Sequence, residues 1–242
     1  MKNAVLTSLL AAAQSGEPVV LATLTRGAED EIGRQLLLRR EAEALGEGFE
    51  PALVATLKAH AQKMFGQENT ETLRIDAREF FLQSYCPPPK LVIIGAVHIA
   101  IPLVAFAKEL GYKVVLVDPR RAFATPQRFP HVDELIARWP DEALLQIGID
   151  SSTCLVVLTH DPKLDDPAVK IALQHEPAYI GVLGSRKTHE KRMQRLRAEG
   201  VSETQLAKLR APIGLEINGR TPAEIALSIM AEIIAVRRGM KF

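Results

Sequence analysis

The chain has 242 residues, 47% hydrophobic and 24% charged, with 30 basic against 29 acidic side chains. That composition excludes a disordered chain and suits two modest domains, while a net charge of +1 excludes nucleic-acid or membrane binding driven by bulk charge. Aromatics at 5% leave few members for a base-stacking surface, and two cysteines outside any CxxC pair exclude a zinc ribbon, a four-thiolate cluster and a disulfide scaffold.

Residues 3–14 read as a first helix rather than a secretory leader, because Gln14, Glu17 and Pro18 follow a short apolar stretch. The expected location is cytoplasmic. A strand is predicted at 19–25, and a charged, glycine-punctuated stretch fills 26–50. Pro51 opens a helix running to about 65, and 70–81 supplies one or two further strands. Residues 1–86 are therefore expected to form a small α/β domain.

Cys86-Pro87-Pro88-Pro89 marks a seam, since three successive prolines remove three donors and fix φ. Cys86 beside it is a candidate exposed thiol. Residues 91–107 carry no formal charge, but Gly95, His98 and Pro102 interrupt them, so a buried strand feeding a buried helix is expected rather than a membrane span.

From residue 87 to 242 apolar runs alternate with helical stretches. Strands are predicted at 90–94, 113–117, 134–138, 154–158 and 179–183. Helices are predicted at 99–110, from Pro140, and at 167–175, 187–199 and 222–238. The last opens with Thr221 as cap, Pro222 and Glu224, a capping box. Apolar strands separated by helices imply a parallel, Rossmann-like sheet in order 3-2-1-4-5. Cys154 falls inside a strand and is expected to be inert core.

In such a sheet ligands bind beyond the C-terminal strand ends, near the reversal of strand order. Four segments sit there: Gly95-Ala96-Val97-His98, Asp118-Pro119-Arg120-Arg121, Thr159-His160-Asp161 and Gly184-Ser185-Arg186-Lys187. Gly95 and Ala100 fit the first and third places of a dinucleotide-binding glycine motif, but Val97 takes the second, where pyrophosphate must approach backbone. Asp118 lies where a carboxylate would bond a ribose hydroxyl. NAD(P) binding is thus weakened rather than excluded. Gly184, Ser185 and Lys187 at a helix start suit a phosphate, or Ser185 is simply the cap of a solvated basic helix. Eight basic residues between Arg186 and Arg210 are interleaved by Glu190, Glu199 and Glu203, which favours a solvated face over a nucleic-acid patch. His98 and His160 would share one crest but lack a clear third metal ligand.

The stretches LVIIGAVHIAIPLVAFAKELGYKVVLVDPR, FATPQRFP, VVLTHD, YIGVLGSRKTHEKRMQRLRAEG and PIGLEINGRTPAEIALSIMAEIIAVRRG resemble the XdhC/CoxI family of xanthine dehydrogenase accessory proteins. The resemblance covers 87–242, with GAVHIA where the family has GAGHVG. In 1–86, RGAEDEIGRQLLL and GEGFE stand in the places of the family's glycine-rich stretches, and Phe49 lies where a cysteine is expected. The resemblance implies a non-catalytic chaperone. It would bind molybdenum cofactor (molybdopterin) as cargo and deliver it in sulfurated form to an apo-molybdenum hydroxylase. A homodimer and a cysteine desulfurase partner are also implied. On that reading Gly184, Ser185 and Lys187 hold the phosphate. Asp118, Thr159 and His160 meet the ring or a ribose, beside Gly95, Ala96, His98 and Arg120. The alternative is an NAD(P)-dependent oxidoreductase.

Overall fold

The computed structural model describes residues 3–66 and 69–240. The chain divides into two compact units, Met1–Pro87 and Pro88–Phe242.

In the first unit, helix α1 (Asn3–Ser15) precedes strands β1 (Val19–Arg26) and β2 (Gln35–Arg39). Helix α2 (Pro51–Ala61) follows, and strands β3 (Thr70–Ile75) and β4 (Arg78–Tyr85) close the unit. The strands form an antiparallel sheet in order β2-β1-β4-β3. Period-two alternation gives each face its own core. Val20, Ala22 and Leu24 pack with Leu53 and Leu57 of α2, while Val19 and Leu21 pack with Val5, Leu9 and Ala12 of α1. Strand β2 lies inside the charged stretch for which no strand was predicted. Its Leu36, Leu37 and Leu38 are fully buried, so apolar runs this short are decided by their partners rather than by their flanks. Phe49 packs against Phe80 with ring centroids 6.1 Å apart, and so completes a core where the family resemblance places a cysteine.

The second unit holds β5 (Lys90–Ile94), α3 (Ala100–Glu109), β6 (Lys113–Val117), β7 (Glu134–Ile136) and α4 (Pro140–Ile147). It continues with β8 (Thr153–Val157), α5 (Pro162–Gln174), β9 (Tyr179–Val182), α6 (Arg186–Ala198), α7 (Glu203–Leu206), β10 (Leu209–Arg210) and α8 (Pro222–Arg237). Its six strands are parallel, in order β10-β9-β8-β5-β6-β7. This is the predicted order with a sixth short strand added. The Rossmann-like α/β fold follows from strands buried on both faces. Leu91, Ile93, Val114 and Val156 face one core with α3 and α8, and Val92, Ile94, Val115 and Val157 face the other with α4, α5 and α6. The Cys154 thiol is buried, which pushes its pKa up to about 12 and keeps it unreactive. Cys86 is half-buried.

One helix begins earlier than predicted. The 167–175 prediction took Pro167 as a start, but α5 starts at Pro162, with Asp161 capping Lys163 N–H at 3.0 Å, and Pro167 lies inside. The lost backbone donor is tolerated because Leu164, Ala168, Val169 and Leu173 bury on the sheet. The capping box of α8 forms as predicted. No helix among the described residues is long and apolar enough to cross a membrane.

Helix α8 is pinned to the sheet by a buried polar contact. Tyr179 donates its hydroxyl to Glu232, which also accepts the Gly214 N–H at 2.8 Å. Tyr179→Phe should leave that buried carboxylate short of a donor and cost about 1–3 kcal/mol, read as a lower urea midpoint at unchanged slope.

Candidate functional site

Every candidate residue lies at the C-terminal ends of four neighbouring strands: β9, β8, β5 and β6. At strand spacing this crest is roughly 14 Å wide. Strand order reverses between β8 and β5, where Gly95 and Thr159 meet. Gly95 has φ +110°, and a Cβ there would lie 2.6 Å from the Thr159 methyl, so only glycine fits.

Asp118, at the end of β6, departs from the expectation that it meets a ligand. Its side chain is fully buried and both oxygens are engaged. Oδ2 accepts the Ala96 N–H at 2.8 Å and Arg120 Nη2 at 2.7 Å, and Oδ1 accepts the Arg120 N–H and Nε, each at 2.9 Å. Four donors fill a carboxylate's lone pairs, so it has no position left for a ribose or ring. Burial raises its pKa, but the Arg120 guanidinium and the two backbone N–H groups outweigh burial and hold it below the ordinary value. A dinucleotide site thus loses its ribose carboxylate as well as the glycine that Val97 replaces.

The arginine that fills Asp118 shapes a cleft. A cavity of about 360 Å³ has Ala96, Val97, His98, Arg120, Phe123 and Arg128 among its lining residues. Phe123 is 46% exposed. Arg120 lies 4.8 Å and Arg128 5.9 Å from its ring centroid, and Arg128 Nη1 donates to the Phe123 carbonyl at 2.7 Å. Phe123 and Arg128 lie in the FATPQRFP stretch, outside the residues expected to form the site. An aromatic between arginines in an aromatic-poor chain was the available signal.

At the end of β8, Thr159 donates to Asp165 and accepts the Asp161 N–H at 3.1 Å. His160 is exposed with φ +63°, a conformation that histidine tolerates better than most residues. At β9, Ser185 caps α6, accepting the Thr188 N–H at 3.2 Å, and Lys187 is exposed. Among the described residues no three histidine, cysteine or acidic side chains are grouped to hold a metal.

Beneath the β8 and β9 ends lies a charge cluster that sequence reasoning missed. Asp165 accepts Arg192 Nη2 at 3.0 Å and Asp166 accepts Arg195 Nε and Nη2. Burial pushes the Asp165 carboxyl up, against the pull of Thr159 and Arg192. Burial, with the Arg192 charge, pushes the His189 imidazole down. The i, i+3 spacing of Arg192 and Arg195 was visible, but their acidic partners sit on another helix.

The first unit has its own cavity, about 520 Å³, between two glycine-bearing turns. Gly33, Arg34 and Gln35 line one side, and Gly46, Glu47 and Gly48 the other.

Residues 91–233 match the family described as the XdhC Rossmann domain. A probable xanthine dehydrogenase component of Bacillus subtilis (strain 168) is 32% identical over 158 residues, 65% of this chain and 46% of that protein. The molybdenum cofactor insertion chaperone PaoD of Escherichia coli (strain K12) is 37% identical over 89 residues, 37% of this chain and 28% of PaoD. The chain spans less than half the length of these curated relatives. The crystal structure of a xanthine dehydrogenase from Bacillus halodurans superposes with a TM-score of 0.76 at 25% identity, covering 97% of this chain and 66% of that one.

Asp118 carries a prediction about pH. Its folded pKa lies below the ordinary 3.8, so on acidification the unfolded chain takes up this proton first. Its stabilising contribution is complete above that ordinary value and is lost as pH falls from there through the folded value. Asp118→Asn should destabilise the second unit by about 2–4 kcal/mol at neutral pH and flatten the acid limb of a stability–pH curve followed by denaturant melts.

Proposed function

This chain belongs to the XdhC family, and on that premise we propose that it binds molybdenum cofactor and hands it to an apo-molybdenum hydroxylase of the xanthine dehydrogenase type. The observation that carries this reading is the cleft at the first strand–helix turn. There a half-exposed Phe123 ring is flanked by two guanidinium groups, in a chain related to a molybdenum cofactor insertion chaperone.

A flat pterin ring with an anionic tail asks for a stacking face, nearby cations and a phosphate contact. Phe123 offers the face, and base–aromatic stacking is worth about 1–3 kcal/mol per ring. Arg120 and Arg128 supply the positive charge, with Arg120 held in place by Asp118. Ala96 and His98 form the opposite lip at the Gly95 turn, and Thr159 and His160 continue the surface over β8. Gly184, Ser185 and Lys187 take the phosphate.

The protein acts as a carrier rather than a catalyst. The buried aspartates at and beneath the crest, Asp118, Asp165 and Asp166, are bonded to arginines rather than turned to a reacting group. Sulfur arrives from a cysteine desulfurase partner, a division of labour supported by Phe49, which is packed into a core at the place of the family cysteine. The carrier works as a homodimer.

Protein purified from cells that make molybdenum cofactor, then acid-treated, should release a stoichiometric pterin detectable by fluorescence and mass spectrometry. Phe123→Ala should lower that occupancy on the order of tenfold with the fold intact by circular dichroism. A nicotinamide dinucleotide in place of the pterin would overturn the reading.

A further inference from the structure

We propose that the β9–α6 turn is a built oxyanion site whose principal donor is the buried guanidinium of Arg192, reaching the turn from beneath Gly184.

Arg192 is the largest fully buried side chain described, with 2% of its side-chain surface exposed. Only part of it is used. Nη2 donates to Asp165, and Nε stands 3.6 Å from Asp166 without a hydrogen bond. Nη1 is buried and has no hydrogen-bond partner. A guanidinium keeps its charge at any working pH, so a buried Nη1 with two unused protons calls for an acceptor. Pairing with Asp165 alone does not require it.

The place that Nη1 reaches is defined by Gly184. Its φ of +148° disfavours any side chain, and a Cβ there would lie 4.0 Å from Arg192 Nη1 and 3.4 Å from Thr188. A side chain at 184 would therefore come against Nη1, and glycine leaves that approach to the turn unblocked. At the same turn α6 begins a run of thirteen residues. Ser185 satisfies the Thr188 N–H, and Arg186 and Lys187 stand at the first two helical positions, whose N–H groups have no acceptor within a helix. Free backbone donors, the helix dipole and one buried cation at a single turn are the groups that a tetrahedral oxyanion requires. The acids beneath are already matched, Asp165 by Arg192 and Asp166 by Arg195.

The ligand class is a phosphate group. It can be the phosphate of the cargo, which rests on the function proposed above, or free phosphate, which does not.

The test titrates inorganic pyrophosphate and phosphate into the full chain by calorimetry in chloride buffer. Arg192→Lys keeps a charge opposite Asp165 but drops Nη1. Gly184→Ala sets a methyl between the turn and Nη1, which keeps the test decisive if the arginine variant fails to fold. Lys191→Ala, an exposed cation on the same helix, is the control. We expect pyrophosphate binding in the parent chain, weakened about tenfold or more by the first two changes and less than about twofold by the control. No binding by the parent chain at millimolar ligand, or equal losses in all variants, would sink the site. Pterin retention is then measured in Gly184→Ala. A parallel loss supports the site as the holder of the cargo phosphate, while retention with pyrophosphate binding lost supports it as a site for free phosphate. A parent chain that binds pyrophosphate but never carries pterin removes the proposed function and supports the oxyanion site.

Discussion

A fully enclosed carboxylate, Asp118, holds the crest of the second unit together. It sits at the end of β6 yet takes the Ala96 N–H from the turn after β5, so it fixes the spacing of two strand ends. Its other bonds go to Arg120, which is thereby aimed over Phe123. An unpaired carboxylate could not stay ionised in such a place, and the arginine both neutralises it and satisfies its oxygens. The cleft wall therefore depends on a residue that does not itself line the cleft but holds Ala96 and Arg120, which do. In a dinucleotide-binding sheet the acid at this place would be turned outward to a ribose. Here it is turned inward, and the cationic, aromatic wall is the result.

The same principle operates two strands away. Asp165 and Asp166 lie on α5, Arg192 and Arg195 on α6, and all four meet beneath the ends of β8 and β9. Thr159 couples this cluster to the crest by donating to Asp165. At both places the charges that shape the surface lie beneath it. Side chains buried in this way lose little rotamer freedom when a ligand arrives, which favours a preorganised site over an adaptive one.

The first unit tells a different story. Its sheet is antiparallel and covered by α1 on one face and α2 on the other, with Phe49 contributing to the α2 side. Gly46 approaches β2 so closely that a Cβ would lie 2.5 Å from the Gln35 carbonyl oxygen, and Arg34 Nη1 donates to the Gly48 carbonyl at 3.1 Å, so the loop carrying Phe49 is held close against β2. A packed ring suits that architecture because position 49 is half-buried against an apolar face.

The sequence by itself determined the Rossmann-like half of the molecule. Runs such as 90–94 and 113–117, alternating with helical stretches, read as strands buried on both faces, and Thr221 with Glu224 announces a helix start through purely local hydrogen bonds. Glycine at 95 and 184 likewise pointed to turns at the strand ends. Strand β2, the true start of α5 and the short β10 were not legible, because short or proline-bearing segments take their state from the partners they pack against. The site divides in the same way. Which residue types crown the sheet follows from strand spacing, whereas burial and pairing are long-range facts. Asp118 and Arg192 look like ordinary polar residues in the chain. Only tertiary structure decided that one has every oxygen occupied while the other keeps a buried nitrogen without a partner, because a hydrogen bond depends on where distant segments bring donor and acceptor together.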